Sequence, residues 1–539
     1  FRVIAADFVT TEDGTGVVHT APAFGEEDYE AGKREGLPAA NPVDSEGRFT
    51  EEVTDFAGEN VHDANKQVTR WLKENGKLVR QETIDHNYPH CWRDDTPLIY
   101  KTVPTWYVNV LAFKDKMLAA NQKINWKPEH IRDGRFGDWL SNARDWAISR
   151  SRFWGAPIPV WRCDKTGETY VPKSVAELSK KWGKPVTDLH RPYIDEVKFP
   201  SPGGGTFRRV PEVLDCWFES GSMPYAQVHY PYENREWFDA NFPADFIVEY
   251  IAQTRGWFYT LVVLAAALKD CPPFQNCICH GVVLAEDGRK MSKRLKNYPD
   301  PMEVVSHYGS DSLRIALLSS PVVRGGNLRF SEKYVEEAMR SFMIPFWNAY
   351  HFFTTYANID GWAPPENPKP EPYNKTDRYI LAKLEHVKAE IDREMLDYDI
   401  VGAYESLVEF IDQVNNWFIR LSRRRFWSQE ESQSKKAAYE VLYLVLKELS
   451  LIAAPFTPFM AEEIYRGLCG QNESVHLQDW PEAHTEHKAE DLVEEVEKIQ
   501  KVIYMGRQLR EAHNIKGRQP LRKVQIAGLD KVLLEAYSE

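Results

Sequence analysis

The sequence predicts an α/β protein, a doubly wound and mostly parallel sheet followed by an α-helical bundle. Three observations carry that prediction. Short apolar runs at Val213-Leu214 and at Phe246 to Val248 are each followed by polar residues, a glycine and then a helical stretch, the βα rhythm of a sheet that takes ligands at the carboxyl ends of its strands. A further apolar, β-branched run from Cys277 to Leu284 ends in Glu286-Asp287-Gly288, a strand breaking into a turn. Beyond about residue 330 apolar residues recur at three- and four-residue spacing, as in Ile380, Leu381, Leu384, Val387 and Ile391, and again in Val441, Leu442, Val445, Leu446 and Leu449.

Composition bounds what such a protein does. With 539 residues, 43% hydrophobic and 27% charged, the chain has the profile of an ordinary soluble protein with room for several domains. A net charge of −13 argues against a general nucleic-acid coat, so any RNA contact has to come from local basic patches. Seven cysteines form no C-x-x-C pair, which points to a reducing, cytoplasmic compartment and away from a disulfide framework. The longest apolar run, Phe258 to Leu268, is too short to span a bilayer, so no membrane partner is expected. The chain opens on Phe1 without Met or a signal peptide and is read as a fragment.

In order, the first element is Gly14-Thr15-Gly16-Val17-Val18-His19-Thr20-Ala21-Pro22, leading to Asp28. Glycines allow a tight approach, Val17-Val18 is expected as a short strand, and His19 and Asp28 either converge on a hydrolytic pocket or serve as a loop residue and a helix-starting acid. Residues from Ile84 to Trp106, including Trp92 and Arg93, are rich in Pro and aromatics and read as packing where the chain re-enters a larger domain. In Asp145 to Trp161, Arg150 and Arg152 sit between tryptophans, suited to phosphate and base contacts or to a core segment with snorkelling arginines. The polar, Gly/Pro-rich stretch 163–210 reads as a surface insertion. Helix Trp257 to Leu268 is expected to lie buried on the sheet, with Trp217 and Trp257 at its edges as core or as pocket walls. Cys277, Cys279 and His280 alternate as a buried strand would, which favours packing over a metal trio.

After that strand comes a cationic loop in which Arg289, Lys290, Lys293 and Arg294 surround Ser292; this suits a polyphosphate whose charge grows during reaction, or a solvated basic turn. Asp311 and Arg314, three apart on a helix, are placed to pair with each other. The Pro-rich segment Ala363 to Pro372 is expected as a stiff surface linker within the bundle. Within the bundle, Asn415 to Trp427 sets Arg420, Arg423, Arg424 and Arg425 among Trp417, Phe418, Phe426 and Trp427, the basic and aromatic patch an acidic RNA-binding protein needs.

Lys290-Met291-Ser292-Lys293-Arg294 resembles the Lys-Met-Ser-Lys-Ser signature of the class I aminoacyl-tRNA synthetases, with Arg294 where the family more often has Ser. The blocks around His19, Arg150, Trp217, Gln253 and Arg423 resemble the same family in the same order, within its isoleucine branch. The resemblance implies a Rossmann-like catalytic domain in part (85–330, with the insertion at 163–210), the end of an inserted mixed α/β editing domain (1–84), a helical anticodon-binding domain (331–485) and the start of a junction module (486–539). It implies ATP with Mg²⁺ and isoleucine as substrates and tRNA(Ile) as partner, in a monomer. Lys290 and Lys293 would be catalytic; Glu249, Gln253, His280, Gly281 and Ser292 would bind ATP or adenylate; Trp217 and Trp257 would flank isoleucine; His19 and Asp28 would edit valyl-tRNA(Ile). Arg150, Arg152, Trp417, Arg420, Arg423, Arg424 and Arg425 would meet tRNA. No zinc is expected, because Cys163 lacks a partner at knuckle spacing. The sequence departs from the family at Phe24 (usually His), Tyr250 (usually Gly) and Ala252 (often Asp), and the His-x-Gly-His signature, expected before Phe1, is absent. The alternatives are the valine branch and a non-catalytic RNA-binding fragment; the block from Asp215 to Tyr225 and Lys296-Asn297-Tyr298-Pro299 favour the isoleucine branch.

Overall fold

The computed structural model describes residues 2–12, 15–83, 85–91, 94–365 and 370–537. Phe1, Gly14 of the glycine-rich loop, Ile84, Trp92, Arg93 and 366–369 of the proline-rich linker lie outside the described residues. The chain forms two compact units, Phe1–Val108 with Ala147–Val213, and Asn109–Trp146 with Leu214–Glu539.

In the first unit, helix Glu26–Glu35 starts where three acidic residues meet its positive N-terminus and stops at Gly36, whose φ of 66° is left-handed. Val17-Val18 is not the expected strand. Among the described residues it has no pairing partner, and Val17 is 76% exposed; a strand needs a neighbour to take up its N–H and C=O groups. The 163–210 insertion has more structure than its composition suggests. Strands Thr169–Tyr170, Trp161–Cys163, Thr206–Arg209 and Lys198–Pro200 form, in that order, an antiparallel sheet over a core of Trp161, Leu178, Ile194, Phe199 and Phe207. The Trp161 indole N–H donates to the Val197 carbonyl (2.8 Å), and the buried Arg209 guanidinium pairs with Asp195 (2.6 Å), so the polar atoms inside are satisfied.

The second unit holds the parallel sheet. Its strands are β1 (Asn125–Lys127), β2 (Ala244–Tyr250) and β3 (Phe274–His280), in the order β2-β3-β1, with Tyr250 level with His280 and Lys127 level with Ile278. Helix α1 (Cys216–Gly221) precedes β2, and α2 (Trp257–Leu268) joins β2 to β3, buried without a break from Phe258 to Ala266. Trp126, Phe258 and Phe274 pack edge-on between that helix and the sheet, with ring centroids 5.6 to 6.1 Å apart. The run Cys277 to Leu284 is not one strand. It breaks after His280, and β4 (Val283–Leu284) pairs with a different partner, β5 (Leu328–Arg329). At the break the Gly281 N–H donates to the Val322 carbonyl (2.8 Å), and a Cβ on Gly281 would run into the Gly326 carbonyl.

The bundle comprises α3 (Ile344–Asp360), α4 (Lys375–Leu396), α5 (Ile400–Asp412), α6 (Arg420–Trp427), α7 (Gln433–Ala453), α8 (Pro458–Cys469) and α9 (Glu490–Ala512), with a π-helical segment Gln413–Ile419 between α5 and α6. Leu384, Val387, Ile391, Val441, Leu442, Val445 and Leu449 are buried in one continuous core, as their spacing predicts. Asp311 and Arg314 do not pair by hydrogen bond. Asp311 is buried and accepts from the N–H groups of Phe459 and Met460 (2.8 Å for the latter) at the start of α8, while Arg314 donates to the Pro455 carbonyl. Burial raises the Asp311 carboxyl pKa, and the two N–H donors oppose that rise. Among the described residues no helix is long and apolar enough to cross a membrane.

Candidate active site

The cationic loop follows β4, the short strand that continues the chain past the end of β3. A tight turn, with Ala285 N–H to Arg289 O (2.9 Å) and Gly288 at φ 81°, reverses the chain. Met291 then turns into the hydrophobic core, while Lys290, Lys293 and Arg294 stay exposed and, among the described residues, make no ion pair. Arg289 differs, because Asp287 takes it up at 2.7 Å. Asn297 fastens the loop from both sides: its Oδ1 accepts from the Ser292 N–H (2.9 Å) and its Nδ2 donates to the Lys290 carbonyl (3.1 Å). This clamp was not singled out in the sequence; an Asn a few residues past a cationic turn is the only local signal for it.

On the neighbouring strand, Glu249 is the last residue but one of β2 and accepts from the Tyr250 N–H (2.8 Å). Gln253 follows, with its Oε1 accepting from the Trp257 N–H (2.9 Å) at the start of α2. The two predicted pocket tryptophans come together here. The Trp217 ring lies over Gly256, where a Cβ would stand 3.1 Å from it, and the Trp257 indole N–H donates to Ser220 O (3.1 Å) on α1, the helix that carries Trp217. Trp217 remains 40% exposed. His280, level with Tyr250 across the sheet, has its Nδ1 2.7 Å from the Gly281 carbonyl. Glu249 and His280 therefore stand at the carboxyl ends of the adjacent parallel strands β2 and β3, with Gln253 and Gly281 just past them, where α/β sheets bind ligands, and the loop follows β4 a few residues on. Cys277 and Cys279 are buried inside β3, and burial raises both thiol pKa values, Cys279 to about 12, so neither is a ready ligand.

In the first unit, Asp28 accepts from the Ala21 N–H (3.2 Å) and so fastens the loop that carries His19. His19 is exposed and, among the described residues, has no hydrogen-bond partner; no bond joins it to Asp28. A cavity of about 510 Å³ opens beside this loop, lined by Phe24, Gly25 and Tyr29 on one side and by Tyr100, Thr102 and Tyr107 on the other. Neither His19 nor Asp28 lines it. Arg150 is not free for RNA, since its guanidinium donates to the carbonyls of Ala147 and Ser149 (2.8 Å each). Arg152 is exposed, beside an edge-on pair of Phe153 and Trp154, the latter 75% exposed.

In the bundle the four arginines separate. Arg420, Arg423 and Arg424 face solvent, but Arg425 turns inward and grips the fully buried Asp377 with both arms (2.6 and 2.8 Å). The expectation of RNA contact fails for Arg425, because its donors are already spent on a partner on another helix. Trp417 and Arg420 border a cavity of about 420 Å³ together with Lys375, Arg507 and Tyr537, three residues that sequence reasoning missed. Among the described residues one trio has metal-ligand geometry, Glu385, Glu448 and His484. Lys388 bonds both carboxylates at 2.7 Å, so an ammonium already supplies the positive charge there.

Known proteins place this geometry. Residues 25–329 match the family described as tRNA synthetases class I (I, L, M and V), and residues 377–526 match the anticodon-binding domain of tRNA ligase. An isoleucine–tRNA ligase of Treponema denticola is 50% identical over 99% of this chain and 50% of its own length. One from Protochlamydia amoebophila is 50% identical over 100% of this chain and 52% of its own, and an isoleucine–tRNA ligase 2 of Pseudomonas fluorescens is 46% identical over 100% and 52%. The chain thus spans about half the length of the curated relatives it matches. Among solved structures, methionyl-tRNA synthetase of Mycobacterium tuberculosis with methionyl-adenylate aligns over 82% of this chain and 84% of its own, at TM-score 0.52 and 17% identity. Agrobacterium radiobacter LeuRS, in a ternary complex with tRNA and LeuAMS, aligns over 90% and 51% at TM-score 0.50 and 20% identity, a likeness of fold. The clamped cationic loop, the paired tryptophans and a family match covering most of the sheet region agree: the chain belongs to the class I tRNA synthetases of the isoleucine, leucine, methionine and valine group.

Proposed function

We propose that this chain serves an ATP-dependent ligase that activates isoleucine as an adenylate, releases pyrophosphate and passes the acyl group to tRNA(Ile). The observation that carries the reading is the loop from Lys290 to Arg294 that follows β4, held by Asn297 with its cations unpaired among the described residues. Adenylate formation displaces pyrophosphate from the α-phosphorus, so negative charge builds on the departing oxygen. Lys290 and Lys293 meet that charge, and Mg²⁺ enters with ATP as part of the substrate. His280, Gly281 and Ser292 bound the nucleotide, Glu249 and Gln253 orient the amino-acid end, and Trp217 and Trp257 wall an apolar side chain. No enzyme nucleophile is required; the residues position and neutralise.

For the first unit the proposal is hydrolytic editing of valyl-tRNA(Ile), with Asp28 and His19 on the loop and a cavity beside it. An apolar pocket discriminates weakly against a substrate one methylene smaller, isoleucine against valine being the standard case, so a second site has a chemical purpose. The surfaces proposed for tRNA are Arg152 with Trp154, and Arg420, Arg423 and Arg424 with Trp417. The domains follow the family: editing to about residue 84, catalytic to about 330, anticodon-binding to about 485, then a junction. We place the protein in the cytoplasm as a monomer. The identity of the relatives favours isoleucine over valine as the substrate. Pyrophosphate exchange by a full-length version, with a panel of amino acids, tests this: isoleucine-dependent exchange is expected, valine-led exchange would move the chain to the valine branch, and tRNA binding without exchange would leave an RNA-binding protein.

A further inference from the structure

The turn between α4 and α5, Asp397-Tyr398-Asp399, touches a different neighbour with each of its three side chains. Asp397 pairs with Lys127 at the end of β1 (2.7 Å). The Tyr398 ring stacks flat on Phe246 of β2, centroids 5.1 Å apart and planes 5° apart. Asp399 accepts from the Nε and Nη2 of Arg324 (2.8 to 3.2 Å) and also caps α5 through the Gly402 N–H. Tyr398 has a φ of 57°, a left-handed conformation that a tyrosine rarely adopts and that persists only where surrounding contacts hold it. The same conformation closes α4, with the Asp399 N–H donating to the Glu394 carbonyl (2.8 Å) and the Tyr398 N–H to the Met395 carbonyl (3.1 Å), a left-handed helix stop usually given to glycine; here a tyrosine carries it, and its ring lies on Phe246.

Two of the three contacts lead to one loop. Arg324 belongs to the segment 320–327, and Lys127 immediately precedes Pro128, which packs against Gly325 of the same segment: a Cβ on Gly325 would stand 3.0 Å from the Pro128 ring and 3.7 Å from the Cys279 carbonyl. That segment lies backbone to backbone on the end of β3. Val322 O accepts from the Gly281 N–H (2.8 Å), the Gly326 carbonyl fills the space a Gly281 side chain would need, and the Leu328 N–H continues to Val282 O (3.0 Å). His280, Gly281 and the root of the cationic loop are thus supported from below by a loop that the bundle grips from outside.

We infer that Asp397, Tyr398 and Asp399 form a positioning clasp, through which the α4–α5 hairpin of the bundle sets segment 320–327 under His280-Gly281 and so fixes the cationic loop relative to β2. None of the three touches the reacting atoms; they act through Arg324, Phe246 and Lys127. Where the clasp serves adenylate formation, the inference rests on the function proposed above. Its structural half does not.

The variants are Arg324→Met, Asp399→Asn, and the two combined. Asn keeps the cap on α5, because it caps as well as Asp, so only the ion pair is removed. Amide hydrogen exchange on this chain reads the outcome locally. The expected result is several-fold faster exchange at Gly281 and Leu328 in each single variant, no further gain in the double, and unchanged protection in α7 at Val441 to Leu449. Unchanged exchange at Gly281, or a rise shared equally by α7, overturns the clasp. In a full-length version, the same variants are expected to lower the maximal rate of pyrophosphate exchange several-fold and leave the KM for isoleucine unaltered. Loosened Gly281 with an unaltered maximal rate overturns the positioning role. If the parent protein exchanges no pyrophosphate, the functional proposal fails, and the hydrogen-exchange result alone decides the clasp.

Discussion

Two basic segments of this chain look alike in sequence and differ in what the fold does with them. Arg289 to Arg294 and Arg420 to Arg425 each pack four cations into six residues. In the first, the chain is a loop, one cation is held by a neighbouring acid two residues away, and three make no ion pair among the described residues, around a backbone pinned by Asn297. In the second, the chain is a helix, and its rotation carries Arg425 inside to an acid 48 residues upstream while the rest face out. The loop concentrates charge in one direction, where a polyphosphate can meet several donors together. The helix spreads its charge around a cylinder and uses one arginine as a structural bolt.

The comparison breaks first at Arg425. Removing it leaves Asp377 fully buried without its counter-charge, and the loss of one member of such a pair costs about 3–5 kcal/mol. Arg425→Ala is therefore expected to lower the denaturant midpoint of this chain sharply, and Asp377→Ala in the same background to recover part of the loss. A change in tRNA affinity without a change in stability would return Arg425 to the RNA-contacting face.

Lys293 marks the opposite pole. Exposed and without an ion pair among the described residues, it contributes little to folding, so Lys293→Ala is expected to leave the melting temperature within experimental error. In a full-length version the same change is expected to slow isoleucine-dependent pyrophosphate exchange by about 3 kcal/mol of barrier while isoleucine binding holds, because the lysine meets charge that is greatest in the transition state. Equal losses of rate and of isoleucine affinity would count against that role.

What the sequence discloses and what it hides divides along the same line. Helix α2 and the bundle stripes are legible because local apolar spacing alone dictates them, as the unbroken burial from Phe258 to Ala266 bears out. The pairing of Trp217 with Trp257 across α1 and α2 was legible only through the family resemblance. The break after His280 was not legible at all, since Cys277 to Leu284 reads as one strand and the interruption comes from the Gly326 carbonyl, 45 residues further on. Asp311 and Arg425 were misread for one reason: at close sequence range each has a plausible electrostatic role, and each is taken by a distant partner that desolvation makes the stronger claimant. Val17-Val18 fails in the other direction, a local β preference with no strand to pair with among the described residues.

Asn297 sharpens the loop half of the comparison. If free cations matter because their backbone is held, then Asn297→Ala, which removes both the acceptor for Ser292 N–H and the donor to Lys290 O, is expected to cost about 1–2 kcal/mol in the barrier to pyrophosphate exchange. Asn297→Asp keeps the acceptor and loses the donor, so it is expected to fall between. Parent-like rates in both variants would show that the loop is ordered by its ligand instead of by Asn297.

The smallest effect belongs to the outer arginines of the helix. Arg423 and Arg424 are exposed and, unlike Arg425, make no ion pair among the described residues, so replacing both with Ala is expected to leave the fold and pyrophosphate exchange intact. What changes is the response of tRNA binding to salt. Each phosphate neutralised releases a counterion, and a lost contact flattens the slope of log affinity against log salt by about 0.7 to 0.9. Two contacts therefore predict a shallower slope by about 1.4 to 1.8, measured by titrating tRNA(Ile) across a range of salt concentrations. Arg425→Lys in parallel, which keeps the charge but loses the two-armed grip on Asp377, is expected to do the reverse, lowering stability with no change of slope. An unchanged slope in the double alanine variant would mean that the solvent-facing side of this helix carries charge for solubility, and that RNA meets the bundle elsewhere, at the cavity bordered by Trp417, Lys375 and Arg507.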